Sequence, residues 1–178
     1  MEMVNKSRTY KVAASGLLIA IGIAIPMFMP LRIVIEPASY TLASHVAIFI
    51  AMFISPGVAA AVVAGTTLGF AWAGFPPTVV ARAASHIVFA VVGAIYLKRA
   101  SEAAMKGWRL RVFSFVIAII HGVSELAAVV AFTLLSGGAM NAAMFASFLV
   151  MVGAGTVVHS MVDLEIANVI RLRLKLKS

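Results

Sequence analysis

Six apolar runs, at residues 11–29, 41–54, 57–74, 78–97, 112–135 and 142–170, fill most of the chain, and the breaks between them are short. About 20 apolar residues in helical form match the hydrocarbon thickness of a bilayer, where each backbone group must find its partner inside the segment. The pattern therefore predicts an all-α integral membrane protein, one domain over 1–178, built as a compact bundle of six transmembrane helices. A mean hydropathy of +1.09 and a charged fraction of only 11% agree. The basic lead MEMVNKSRTYK enters the first run without a small-x-small cleavage site, which predicts a retained first helix rather than a removed leader.

The breaks carry turn chemistry. Ser55-Pro56-Gly57 closes the second run, Gly74-Phe75-Pro76-Pro77 separates the third from the fourth, and Ser136-Gly137-Gly138 ends the fifth. Residues 98–111 form the long charged connection, and the segment LRIVIEPASY, with Arg32 and Glu36, is half-polar. With the N-terminus in the cytoplasm, 12 of the 14 Lys and Arg residues fall on cytoplasmic segments. The net charge of +8 thus reads as an N-in/C-in orientation signal and a contact with anionic lipid, not as a nucleic-acid surface.

Ionisable residues inside the runs carry the functional information, because a charge at mid-bilayer costs about 2.5–3.5 kcal/mol on insertion scales. Three runs place polar pairs one helical turn apart and so on one face: Arg82 with His86, His121 with Glu125, and His159 with Asp163, with Thr156 a turn before. These faces must turn toward one another or toward a water-filled pocket. Counting residues from the span ends puts Arg82 about 8 Å below the outer boundary at 1.5 Å per residue. The same count puts His86 and Glu125 near mid-depth, His45 near the outer end of its run, and Asp163 toward the cytoplasm. Arg82 and Glu125 suit either a pocket or a structural ion pair.

A stripe of small residues, Gly16, Ala20 and Ala24, runs down the first span, which lacks ionisable residues in its core. Such spacing lets helix backbones approach closely, within the chain or against a partner. The sequence has no P-loop, H-E-x-x-H or G-x-S-x-G pattern and no cysteine. An intramembrane metallohydrolase would draw on the histidines and carboxylates, but the depths counted for His45 and His159 differ by most of the membrane. A stand-alone facilitator or channel is the other alternative.

Six short spans, the small-residue stripe, the half-polar first outer segment and the SPG turn after a short second helix resemble the substrate-binding S components of energy-coupling factor vitamin transporters. The run PASYTLASHVAIFIAMFISPGVAAAVVAGTTLGF looks like the branch for small B-vitamins or precursors: hydroxymethylpyrimidine or pyridoxine, niacin and pantothenate. The resemblance implies a non-enzymatic capture subunit in a bacterial-type cytoplasmic membrane, without cofactor or metal. It also implies a transmembrane coupling subunit that meets Gly16, Ala20 and Ala24, and two ATPases that hydrolyse ATP. The first outer loop, with Glu36, Ser39 and Tyr40, would lid a pocket that holds Arg82, His86 and Glu125. His121, Thr156 and His159 complete the expected substrate site. A carboxylate vitamin suits Arg82, whereas a neutral or protonated pyrimidine or pyridine alcohol suits Glu125 and the imidazoles, with Tyr40, Trp72 or Phe75 to stack on it, and mutual neutralisation of Arg82 and Glu125 favours a ligand of little net charge.

Overall fold

A computed structural model describes residues 7–35, 38–100 and 106–174. Helix α1 (Arg8–Phe28) starts at Ser7, whose hydroxyl accepts from the Tyr10 N–H, and it ends two residues after Pro26. A two-stranded antiparallel hairpin follows, β1 (Arg32–Ile35) and β2 (Ala38–Thr41), with Arg32 opposite Thr41 and Ile33 opposite Tyr40. Helix α2 (Val46–Ile54) and helix α3 (Pro56–Trp72) meet at Ser55, which caps α3 through the Val58 N–H while Pro56 takes the first helical position. Helix α4 (Pro77–Arg99) and helix α5 (Gly107–Leu135) are long rods. The last rod is continuous from Ala142 to Arg173: α6 (Ala142–Phe148), a π-helical stretch (Leu149–Ala154) and α7 (Gly155–Arg173).

Four of these helical rods, α1, α4, α5 and the last, are long and apolar enough to cross a membrane. Helix α3, at 17 residues, falls just short. Helix α2 has nine residues, about 14 Å of rise, which is half of a bilayer core. The second apolar run was expected to be helical from residue 41. Instead β2 runs to Thr41 and the chain turns through Ala43, at φ 66°, before α2 begins.

Helix α2 is the centre of the bundle. Its residues are apolar on every side and seven of the nine are buried, the pattern of a helix wrapped by others. It packs on α1, α3, α4 and α7, and Phe49 and Met52 anchor the main core. Helix α1 closes against α3 by setting Ile19 on Gly65 and Ile23 on Gly69, where a Cβ would collide with the isoleucines. On α5, Gly122 lets the backbone of the π-helical stretch approach at Gly153. At the α1–α3 contact the small residues are Gly65 and Gly69 on α3 and Gly22 on α1, where a Cβ would meet Thr66. Gly16 and Ala20 are exposed and Ala24 is half-buried.

Candidate functional site

Four helices and the hairpin converge on two buried carboxylates. Glu125, one turn after His121 on α5, is 2% exposed. Its Oε2 receives the Arg82 Nη2 donor from α4 at 2.9 Å and the Thr156 hydroxyl from α7 at 2.7 Å. Its Oε1 lies 2.9 Å from His86 Nε2 and 3.6 Å from His121 Nε2. Arg82, His86, His121 and Thr156 thus surround one carboxylate. Burying that charge is tolerable because it is paired and hydrogen-bonded on both oxygens.

Asp163 on α7 organises the second centre. It accepts from the backbone N–H of Ala43 at 2.8 Å and of His45 at 2.9 Å, and it lies 3.1 Å from His45 Nδ1 and 3.3 Å from His159 Nε2. Ser44 Oγ stands 3.1 Å from His159 Nε2. This overturns the depths counted along the sequence: His45 and Asp163 are in contact, so His45 and His159 are not on opposite sides of the membrane. The count failed because it treated the second run as a helix from residue 41. The hairpin and the turn at 42–45 instead carry His45 into the bundle, to the level of α7's polar face.

The two centres join through imidazoles. The His45 ring lies 4.8 Å from His86, 4.6 Å from His121 and 5.1 Å from His159, centroid to centroid, and His86 is 4.8 Å from His121. His121 Nδ1 is 3.1 Å from Ser160 Oγ. Its Nε2 is buried with no hydrogen-bond partner among the described residues, as is Arg82 Nε.

A cavity of about 630 Å³ opens beside these groups, under the hairpin. Arg32, His45, Arg82, His86, Glu125 and Phe75 are among its lining residues. Of the residues expected to bind substrate, Arg82, His86 and Glu125 reach its wall. His121, Thr156 and His159 are not in that wall: His121 and Thr156 stand against Glu125, and His159 against Asp163. Tyr40 ties the hairpin to the last rod by donating its hydroxyl to the Met151 carbonyl in the π-helical stretch. Glu36 lies outside the described residues. Phe75 reaches the cavity and stacks on Phe70, whereas Trp72 is 94% exposed and unavailable to a ligand there.

Sequence reasoning left Arg32, His45, Asp163 and Ser160 out of the site. The signal for His45 was present: a run of 14 residues is too short to cross a bilayer, so one end of it had to lie at depth.

The chain is 37% identical over 167 residues to the niacin transporter NiaX of Lactococcus lactis subsp. cremoris (strain MG1363), covering 94% of this chain and 75% of that protein. No family model matches the sequence, and no solved structure matches it.

Proposed function

The chain belongs to the substrate-binding S components of energy-coupling factor vitamin transporters, and from that premise we propose that it captures niacin, as the nicotinate anion, in the cavity under the hairpin. The observation that carries this reading is the charge of the cavity wall. Among the described residues of the wall, two guanidinium groups, Arg32 and Arg82, stand against one carboxylate, Glu125. Glu125 occupies Arg82 Nη2, and Nε has no hydrogen-bond partner among the described residues. A monoanion balances this wall, whereas a neutral pyridine alcohol or amide leaves one cation uncompensated. In this reading Arg82 Nε donates to the nicotinate carboxylate in a charge-assisted hydrogen bond, Arg32 closes over it, and the ring lies near Phe75 and His86. The cavity volume falls in the range of small-molecule sites. The name of the relative supports the same substrate.

Calorimetric titration of the purified chain tests the substrate. A charge-assisted hydrogen bond contributes about 1.5–3 kcal/mol, so nicotinate should bind roughly 10–100-fold more tightly than nicotinamide. Equal affinity for the two ligands would refute the anion reading.

The wider assembly belongs to the same proposal. The chain crosses the cytoplasmic membrane of a bacterial-type cell six times with both ends inside, the hairpin and α2 together forming the second crossing. The outward face of α1 at Gly16, Ala20 and Ala24 meets a membrane coupling subunit, and two ATPases drive release inward. The distribution of Lys and Arg supports the orientation. Because the chain has no cysteine, single-cysteine variants at residues 98 and 137 can be labelled cleanly from either side. Residue 98 should react only from the cytoplasmic side, and residue 137 only from outside.

A further inference from the structure

We propose that His45, His86, His121 and Glu125 form a binding site for a divalent transition cation of the zinc class, which staples α2 to α4 and α5. One ligand atom from each of the four lies within 4.8 Å of every other, and all four residues are buried. Three imidazoles and one carboxylate suit Zn²⁺ and disfavour Mg²⁺ or Ca²⁺, which take oxygen ligands.

The surroundings of the four residues strengthen the assignment. A metal-bound histidine typically has its other ring nitrogen held by a neighbour, and a metal-bound carboxylate is itself hydrogen-bonded. Here His45 Nδ1 is held by Asp163 at 3.1 Å, and His121 Nδ1 by Ser160 at 3.1 Å. Glu125 Oε2 is held by Arg82 and Thr156, which leaves Oε1 toward His86 and His121. The guanidinium therefore sits on the carboxylate oxygen turned away from the cation position.

A separate observation points to a ligand. His121 is wholly buried, and its Nε2, 3.6 Å from Glu125 Oε1, makes no hydrogen bond among the described residues. An unpaired buried polar atom is uncommon in a native interior, and a cation at this point would satisfy it. An entry path exists, because His45, His86 and Glu125 line the cavity. Four protein ligands close a tetrahedral site and leave no position for an activated water, so the cation is structural rather than catalytic. The site shares His86 and Glu125 with the cavity wall, so a bound dication would add to the positive charge that favours an anionic ligand there.

The test uses the full chain, free of any histidine tag and stripped with EDTA. Titration with ZnCl₂ should show one saturable equivalent that survives gel filtration, and Co²⁺ should give the intense visible absorption of tetrahedral coordination. Ser160→Ala keeps all four ligands and should weaken zinc binding by roughly 10–100-fold through the lost support of His121. His45→Gln and His121→Gln should abolish stoichiometric binding, whereas His159→Gln should retain it. Substoichiometric zinc on the wild-type chain overturns the proposal, whatever the variants do. So does zinc that is lost in His159→Gln but kept in His121→Gln, because the ion would then sit with His45, His159 and Asp163.

Discussion

Asp163 on α7 accepts the backbone N–H of His45 at 2.9 Å, and so fixes where α2 begins in the middle of the bundle. Irregular backbone at that depth survives only where its polar groups are satisfied inside the protein. The same carboxylate also takes the Ala43 N–H at 2.8 Å, so one side chain serves both. Asp163→Ala should therefore destabilise the chain by about 3 kcal/mol or more, the range for removing one partner from a buried charged network. Asp163→Asn keeps one acceptor oxygen and should lose less. Thermal unfolding in detergent, followed by circular dichroism, checks the order of the three proteins.

Arg82 is the residue on which the substrate reading turns. Arg82→Ala should lower nicotinate affinity by roughly 100-fold, as expected when a charged hydrogen-bond partner is removed from a buried site. Arg82→Lys should recover only part of that, because a lysine cannot bond Glu125 and the ligand through separate nitrogens of one planar group. Calorimetry on both variants measures the loss. Wild-type affinity in Arg82→Ala would reduce the Arg82–Glu125 contact to a structural ion pair.

Much of this arrangement was legible in the sequence because of the bilayer's constraints. Polar pairs at Arg82/His86, His121/Glu125 and His159/Asp163 had to face one another, and the helices bring them together around Glu125 and Asp163. The position of His45 was not legible, since it depends on where α2 starts. That start is set by a contact between residues 118 apart in sequence, and no local pattern encodes it. The hairpin was obscured for a related reason. Its strands are four residues each and half-polar, and they are stabilised by pairing with each other. The internal glycine contact was missed because Gly65 and Gly69 lie in a run whose small residues point in several directions. Only the packing of Ile19 and Ile23 selects those two.

The outward face of α1 gives a prediction that separates capture from coupling. Ala20 is exposed, so a leucine there projects from the surface of the bundle. Ala20→Leu should leave nicotinate affinity within about 2-fold of wild type, as befits a surface change outside the cavity lining. It should nonetheless abolish co-purification with the coupling subunit, because close helix approach in a membrane depends on small side chains. Intact assembly in that variant would assign coupling to another face.

Tyr40 ties the hairpin to the π-helical stretch of the last rod, its hydroxyl donating to the Met151 carbonyl. In a π-helix the backbone bonding register shifts, so the normal i to i−4 ladder is interrupted and a carbonyl there can receive an outside donor. Tyr40→Phe removes that single hydrogen bond and preserves the ring that packs 5.6 Å from His159. A neutral hydrogen bond contributes about 1 kcal/mol, so the hairpin should open roughly 5-fold more readily. If the hairpin covers the bound vitamin, that change appears in release rather than in capture: nicotinate dissociation should speed up about 5-fold while association stays near wild type. Stopped-flow displacement of bound nicotinate measures both rates. An unchanged dissociation rate would mean that the vitamin leaves by a route the hairpin does not cover.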